Sequence, residues 1–485
     1  MYRKDINHQF TLADFNQPVG LKMNADNRWI VKASLIPWEK FEDQYARKFK
    51  SKTGMPAKSF RMALGALLIQ KEYGWSDREL VAQITENPYL QYFIGLPGYQ
   101  QEPPFVPSLL VEFRKRISPE LIMEINEILI QENTEDDSEN DDDSPSSGCS
   151  SGDQTSDKAS RDKNKGVLIL DATCAPQYIE YPQDFQLLNE ARENLESIID
   201  RVCEDEGLEK PRTYRKKARD SYLALSKRRK RSKKAIRKTI KQQLQFIRRD
   251  LGYIDTYLDN GIVFSEKELV RLDTIRKVYC QQKHMLDNNT HSVEDRIVSL
   301  SQPYIRPIVR GKASAPVEFG AKLDLSVENG MARIEKFSFD AYNESEVLHS
   351  AVNRFYERNG CYPEALLADT IYRTRANISY CRERGIRLSG PALGRQSKSQ
   401  KAASKKQQYI DSVNRIEVER SFSLCKRKFG LGCVTTKRED TTKASVYLSV
   451  LAMNLDRLAR LSHTLFYELV ISMFKSRINR SLSAV

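Results

Sequence analysis

The chain has 485 residues, of which 40% are hydrophobic and 29% charged, and a formal net charge of +13. This length allows roughly two or three domains with proper cores, and the lack of a long apolar run or cleavable leader excludes a membrane span or export, so a cytoplasmic protein is expected. The positive charge lies outside one acidic segment and indicates polyphosphate partners, nucleic acid first.

The cysteines and histidines give no support to metal or nucleophile chemistry based on thiols or imidazoles. The 8 cysteines include no CxxC pair, and the 5 histidines form no HExxH motif. A disulfide framework and a zinc site are therefore not expected. Carboxylates are expected to carry any chemistry in this chain.

Residues 1–131 are predicted to form a helical domain. An amphipathic run covers residues 56–71, residues 76–79 have capping-box spacing, and short helices are expected at 87–94 and 106–117. The last of these carries the basic sequence VEFRKRI. The series fits a DNA-binding helix-turn-helix and fits equally well a helical bundle used for dimerisation.

Residues 132–165 are predicted to be a disordered linker, because they are rich in Asp, Ser and Gly and have almost no apolar residues to bury. The alternative interpretation is an acidic mimic of DNA that competes for the basic surfaces of the same chain.

Two continuous apolar runs end in an aspartate. GVLILD ends at Asp171, and ALLAD ends at Asp369. Such runs are typical of strands buried on both faces, and in open α/β sheets the sites lie beyond the carboxyl ends of the strands. Each aspartate alone could equally be a turn former.

A long helical insert is predicted at residues 187–300. Residues 210–241 are basic all round the predicted helix and are expected to grip phosphate, with a solvated charged helix as the alternative. An apolar heptad stripe follows, and SEKE at 265–268 can cap a return helix, so an antiparallel helical hairpin is expected. The basic residues proposed to bind DNA are Arg228, Arg229, Lys230 and Arg231.

The remaining pattern predicts an α/β domain with a five-stranded mixed sheet, whose first three strands are antiparallel. Its elements are the GVLILD strand, a hairpin at 317–339 with an Asn329-Gly330 turn, a helix at 345–358, the ALLAD strand, a helix at 377–384, a short strand at 386–389, a basic loop at 395–406, and two helices after Thr441.

Residues 414–428 are predicted to form a helix that presents one carboxylate. Glu419 lies on a charged edge beside the apolar stripe, whereas Glu417 points to the far side, so Glu419 is the better candidate. Alone, this pattern also fits an amphipathic surface helix with an ion pair. The apolar stripe is Val418, Phe422, Cys425 and Phe429, and the charged edge is Arg415, Glu419 and Lys426.

Three segments resemble bacterial DDE transposases of the insertion-sequence-five superfamily. They are DATCAPQYIEYPQD at 171–184, YPEALLADTIYRTRANISYCRERGIRLSGPALGR at 362–395 and RIEVERSFSLCKRKFGL at 415–431. The resemblance implies an RNase H-like catalytic domain at 166–461, followed by a C-terminal helix or tail at 462–485.

The same resemblance implies Asp171, Asp369 and Glu419 as the catalytic triad. It also implies that Arg415 and Lys426, in the R-x3-E-x6-K signature, contact phosphate or orient the glutamate. Hydrolysis and strand transfer would then use two Mg²⁺ ions about 4 Å apart, replaceable by Mn²⁺, with Asp171 as the bridging ligand, Asp369 on one ion and Glu419 on the other.

Two positions depart from the family pattern. Ser412 stands where a tyrosine is common, and Ile371 stands where a glycine is common. Tyr372 matches the aromatic expected there and is expected to contact DNA.

The implied function is binding of terminal inverted repeats, cleavage of the DNA ends and their joining to a target. Double-stranded DNA, a homodimer in the active complex and a nucleoid-associated location are expected. The alternatives are a structure-selective nuclease of the same fold and a non-catalytic DNA-binding protein derived from a transposase.

Overall fold

The computed structural model describes residue 2 and residues 11–49, 54–133, 164–309, 317–391 and 398–482, with side chains described except at 398–404 and 463–482. Most of the acidic segment predicted as a linker lies outside these residues.

Helices cover the N-terminal region, the insert and both faces of a sheet. They are α1 (Arg28–Leu35), α2 (Trp38–Ala46), α3 (Phe60–Tyr73), α4 (Asp77–Glu86), α5 (Pro88–Phe93), α6 (Leu109–Arg116), α7 (Pro119–Glu132), α8 (Asp184–Asp205), α9 (Arg215–Ser226), α10 (Lys233–Asp259), α11 (Glu266–Asp287), α12 (Val347–Asn359), α13 (Arg375–Glu383), α14 (Lys398–Lys428) and α15 (Glu439–Leu482). The strands are β1 (Val167–Pro176), β2 (Arg306–Val309), β3 (Val317–Glu328), β4 (Met331–Ser338), β5 (Ala365–Ala368) and β6 (Arg387–Leu388).

The sheet has six described strands in the order β2-β3-β1-β5-β6, with β4 also paired to β3. The predicted antiparallel pairing of β1, β3 and β4 is confirmed, and β5 and β6 continue the sheet in parallel. The prediction of five strands is wrong because β2 also pairs with β3. Gly320 pairs with Arg306 of β2, and Lys322 pairs with Ser338 of β4, so β2 and β4 share one edge of β3.

The hairpin turn between β3 and β4 has the predicted conformation. Asn329 has φ +48° and Gly330 has φ +78°. A type I′ turn requires positive φ at both central residues, which explains why this dipeptide joins the two strands.

Two predictions about the C-terminal region are corrected. α14 already begins at Lys398, within the predicted loop at 395–406, and one helix, α15, replaces the two predicted after Thr441. Neither stretch contains a Gly or Pro that would end a helix, and the polar start of α14 is rich in Lys, Ala and Gln, which have good helix propensity.

The insert contains four helices, α8 to α11, rather than a hairpin alone. The capping box of Ser265 and Glu268 begins the predicted return helix α11. The heptad stripe of α10 packs into a hydrophobic cluster formed within the insert. Its buried members are Leu244, Ile247, Leu251 and Ile254, and Ile240 and Leu258 pack against them.

The basic residues 228–231 lie in the turn between α9 and α10, not on a helix as predicted. Ser232 caps α10 by accepting a hydrogen bond from the Ala235 N–H at 3.3 Å. Adjacent like charges repel one another, and the Ser cap starts a new helix, so the chain turns here instead of continuing.

One buried carboxyl of the insert makes its stability depend on pH. Asp250 is fully buried, and no described group donates a hydrogen bond to either of its oxygens. Burial raises the pKa of Asp250 to about 7, and the carboxylate of Glu196 contributes to this rise. The folded chain thus disfavours the ionised form, so the free energy of unfolding falls as the pH rises from about 4 to about 7.

We expect Asp250→Asn to raise the free energy of unfolding above pH 7 by up to about 4 kcal/mol, since one pKa unit corresponds to about 1.4 kcal/mol. At pH 4 the gain should vanish, because the native carboxyl is then protonated. Urea unfolding at pH 4 and pH 8 measures the difference. An equal change at both pH values would contradict the assigned cause.

The N-terminal helices share a core with the sheet. One hydrophobic cluster contains Phe60 of α3, Leu129 of α7, Leu325 of β3 and Leu451 of α15. The N-terminal region is therefore packed against the sheet and α15 rather than joined to them only through the chain.

A buried ion-pair network reinforces this packing. Lys32 of α1 lies 2.5 Å from a carboxylate oxygen of Glu72 and 2.9 Å from one of Asp456. Lys428, at the end of α14, contacts the same two carboxylates at 3.3 and 3.0 Å. The helix that carries Glu419 is thereby fixed to α1, α3 and α15.

No described helix is both long and apolar enough to cross a membrane.

Candidate active site

Two aspartates lie side by side at one edge of the sheet. Leu170 of β1 pairs in parallel with Ala368 of β5, and Asp171 and Asp369 are the next residues. Neighbouring strands are about 5 Å apart, so the two backbones are adjacent at these positions. β1 continues to Pro176, so Asp171 lies within its strand, beside the point where β5 ends, rather than at the strand end as predicted.

The Asp171 carboxyl is half-buried between opposing charges. One of its oxygens accepts a hydrogen bond from the Ala172 N–H at 2.8 Å, and the other lies 3.4 Å from the Arg415 guanidinium. Burial raises the pKa of Asp171 to about 6, and the charges of Asp369 and Glu344 add to this effect while Arg415 opposes it. A carboxylate in such a place is stabilised by a nearby cation.

Asp369 is exposed at the start of a short 3-10 turn, Thr370–Tyr372. Its carboxylate accepts hydrogen bonds from the Thr370 N–H at 2.6 Å and from the Thr370 hydroxyl at 3.3 Å. These bonds orient the carboxylate at the sheet edge.

Helix α14 places Glu419 over the same edge. The predicted apolar stripe is buried, with Val418, Cys425 and Phe429 at 0% exposure and Phe422 at 9%. The Glu419 side chain is 57% exposed and lies 3.4 Å from Arg415, which also contacts Asp171. One guanidinium thus lies between the carboxylates of Asp171 and Glu419.

The carboxylates fit a divalent cation in charge and donor type. Mg²⁺ prefers oxygen ligands and is commonly held by one or two carboxylates with water and substrate phosphate. Among the residues that the structure describes, no three His, Cys, Asp or Glu are close enough to hold one metal. Glu419 pairs with Arg415 here, and its side chain is exposed.

Two further residues were expected from the resemblance to contact DNA or to orient the glutamate, and one is partly exposed whereas the other is buried. Lys426 lies on α14 two turns beyond Glu419 and is partly exposed. Tyr372 is 0% exposed, and its hydroxyl donates a hydrogen bond to Asp324. The predicted contact of Tyr372 with DNA is therefore wrong for this conformation, because a fully buried hydroxyl cannot reach a phosphate.

Residues behind the site were missed by the sequence reasoning. Asp324 is fully buried on β3, and Glu344 pairs with Lys322 at 2.7 Å. The sequence signal was an aspartate between Leu323 and Leu325 in a predicted strand, because a charge that becomes buried there needs a specific partner.

The basic turn presents free cations to solvent. Arg228, Arg229 and Lys230 are exposed and form no ion pair with the described residues. Arg231 differs, because its guanidinium donates hydrogen bonds to Gln183 at 2.7 Å and to the Ser226 carbonyl at 2.9 Å. Arg231 therefore holds the turn in place.

Glu417 provides a matched control on α14. Its side chain forms an ion pair with Arg457 of α15, about 160° around the helix from Glu419. We expect Glu417→Ala to cleave DNA at nearly the wild-type rate and to lose at most about 1 kcal/mol of stability, as is usual for a solvated ion pair. A cleavage assay under single-turnover conditions measures this. Loss of cleavage in a folded Glu417→Ala protein would show that the helix phase is misassigned.

The comparisons with known proteins cover both ends of the chain. A family model described as a transposase DDE domain matches residues 366–456, and one described as a transposase domain (DUF772) matches residues 21–116. A Rhizobium meliloti protein described as an uncharacterized protein, ORF8 in the nfe locus, is 33% identical over 93 residues. The match covers 19% of this chain and 44% of that protein. No solved structure is significantly similar to the chain.

The DDE-domain match includes Asp369, which lies beside Asp171, and Glu419, which is joined to Asp171 through Arg415. The second match covers the helices that share a core with the sheet. Two segments of the chain are thus similar to transposase domains, one over the N-terminal helices and one that includes Asp369 and Glu419.

Proposed function

We propose that the protein binds the terminal inverted repeats of an insertion sequence, cleaves the DNA ends and transfers the freed strands to a target DNA. The observation that supports the proposal is that Asp171 and Asp369 follow paired residues of neighbouring strands and that Arg415 contacts both Asp171 and Glu419. The core would be RNase H-like, a mixed sheet with a carboxylate on each of two adjacent strands and a third on a helix.

The carboxylates would hold the metal ions, and the basic side chains would bind phosphate. Asp171, Asp369 and Glu419 would supply the carboxylate oxygens that hold two Mg²⁺ ions, with Asp171 shared between the ions, as the resemblance implies. Such ions steady the attacking and leaving oxygens of an in-line displacement, and Mn²⁺ would substitute. With metal bound to the carboxylates, Arg415 would be available to bind a DNA phosphate or to orient Glu419, and Lys426, further along the same helix, would bind a neighbouring phosphate.

Attraction between basic side chains and DNA phosphates would supply much of the binding affinity. Phosphate contacts need only charge, whereas base readout needs a few well-placed side chains. The exposed turn at 228–230 fits the first role. The N-terminal helices would contribute either DNA reading or the contacts of a homodimer, and the shared core would couple them to the catalytic helix.

The experiment that tests the function uses labelled element ends, a supercoiled target plasmid and Mg²⁺. A transposase gives cleaved ends and also joined products in which label enters the plasmid. Cleavage without joining would indicate a structure-selective nuclease of the same fold. Binding without cleavage would indicate a non-catalytic DNA-binding protein derived from a transposase.

A further inference from the structure

A buried carboxylate connects the rear of the sheet to the proposed metal centre. Asp324 is 0% exposed and pairs in register with Ala172, the residue after Asp171. Its Oδ1 accepts a hydrogen bond from the Tyr372 hydroxyl, and its Oδ2 accepts one from the Tyr342 hydroxyl. Both oxygens are satisfied by neutral donors, and Asp324 forms no ion pair with any described Lys or Arg.

Asp324 and Asp171 face opposite sides of the sheet. Successive residues of a strand alternate between the two faces, so Asp324, opposite Ala172, points away from the side of Asp171. Tyr372 belongs to the hydrophobic cluster on that rear side, together with Leu170. The Tyr372 side chain thus reaches from the site edge to the back of the sheet.

The other end of this connection is the turn that carries Asp369. The Tyr372 N–H donates to the Asp369 carbonyl at 3.0 Å, and the Asn377 side chain donates to the Tyr372 carbonyl at 2.8 Å. Asp369 and Tyr372 are therefore two ends of one rigid 3-10 turn. Because the turn is short and hydrogen-bonded, holding the Tyr372 ring restricts where the Asp369 backbone can lie.

Strand β4, which pairs with the strand of Asp324, is irregular at this position. Asp324 pairs with Lys336 and Leu325 pairs with Ile334, so Glu335 is an extra residue of β4, as in a β-bulge. Bulges are common beside active sites, where they re-aim side chains. Packing alone gives no reason for a buried carboxylate, because apolar side chains of similar volume are often as stable or more stable.

We propose that Asp324 is a positioning residue of the carboxylate centre, which acts through the Tyr372 hydroxyl to hold Asp369 beside Asp171 and so sets the affinity of the centre for divalent metal. This inference rests on the proposed function. The Tyr342 hydroxyl satisfies the same carboxylate but belongs to the loop after β4, not to the turn of Asp369.

Tyr372→Phe and Tyr342→Phe form a matched pair for the test. Each variant removes one hydroxyl and leaves one Asp324 oxygen without its donor, so both should lose similar stability in urea unfolding. Only Tyr372→Phe removes a hydrogen bond made by a residue of the Asp369 turn itself. The readout is binding of Mn²⁺ alone, measured by electron paramagnetic resonance on the full chain, followed by the Mg²⁺ concentration needed for half-maximal cleavage.

We expect Tyr372→Phe to raise the Mn²⁺ dissociation constant about tenfold, in the range found when an outer-shell partner of a metal ligand is removed, and to raise the Mg²⁺ requirement by the same factor. Tyr342→Phe should leave the dissociation constant unchanged. Equal metal affinities in the two Phe variants would overturn the inference and leave Asp324 a structural residue. Asp369→Ala identifies the centre: if it binds Mn²⁺ as the wild type does, the metal centre of the proposed function is itself wrong, and this inference falls with it.

Discussion

Alanine at Asp171, Asp369 or Glu419 is expected to abolish cleavage of element ends while leaving DNA binding intact. Each substitution removes a proposed direct metal ligand, so the loss of rate should exceed the about 10- to 100-fold typical of outer-shell partners. Asp369 and Glu419 are exposed, and Asp171 lies at the margin of the core, so the fold should survive. Single-turnover cleavage of a labelled DNA end in Mg²⁺, with binding measured separately by fluorescence anisotropy, gives both quantities.

Glu417→Ala serves as the control for the Glu419 variant, because it removes a carboxylate two residues away on the opposite side of α14. The assignment of Glu419 would be contradicted if Glu419→Ala cut at the wild-type rate. It would also be contradicted if Glu419→Ala failed only because DNA no longer bound.

Neutralising the basic turn should weaken binding to specific and unrelated duplexes alike. The variant Arg228→Gln, Arg229→Gln, Lys230→Gln removes three exposed cations and retains Arg231, which holds the turn through Gln183 and Ser226. The slope of the logarithm of affinity against the logarithm of salt concentration should become shallower by about 0.9 for each DNA phosphate that the variant no longer binds. Anisotropy titrations across several salt concentrations measure this slope.

A second triple variant separates local binding from net charge. Lys267, Arg276 and Lys277 are exposed on α11, outside the basic turn, and replacing them with Gln removes the same total charge. This control should change the slope little. If only specific binding fell in the turn variant, the turn would be a sequence reader. If neither specific nor non-specific binding changed, the N-terminal helices would supply most of the DNA-binding affinity.

Elements with strong local signals were predictable from the sequence. Each of three sequence patterns specifies one local conformation, and the structure contains all three. They are the heptad stripe of α10, the capping box at Ser265 and the Asn329-Gly330 turn. The apolar stripe from Val418 to Phe429 also determined the phase of α14 and hence the side on which Glu419 lies.

The remaining features depend on partners distant in sequence. β2 is a four-residue strand whose pairing with β3 is set by tertiary contacts, so its sequence RPIV carries little signal. The burial of Tyr372 follows from Asp324, which is 48 residues away in sequence. The contact of Arg415 with Asp171 joins residues 244 apart. No local pattern specifies such pairs.

The most direct test of the carboxylate centre is anomalous scattering from Mn²⁺ in crystals of the protein bound to an element end. The proposal predicts two peaks about 4 Å apart, with Asp171 between them, Asp369 on one, and Glu419 turned away from Arg415 onto the other. Peaks at any other group of residues, or a DNA-bound complex in which Arg415 still joins Asp171 to Glu419 and no metal is present, would contradict it.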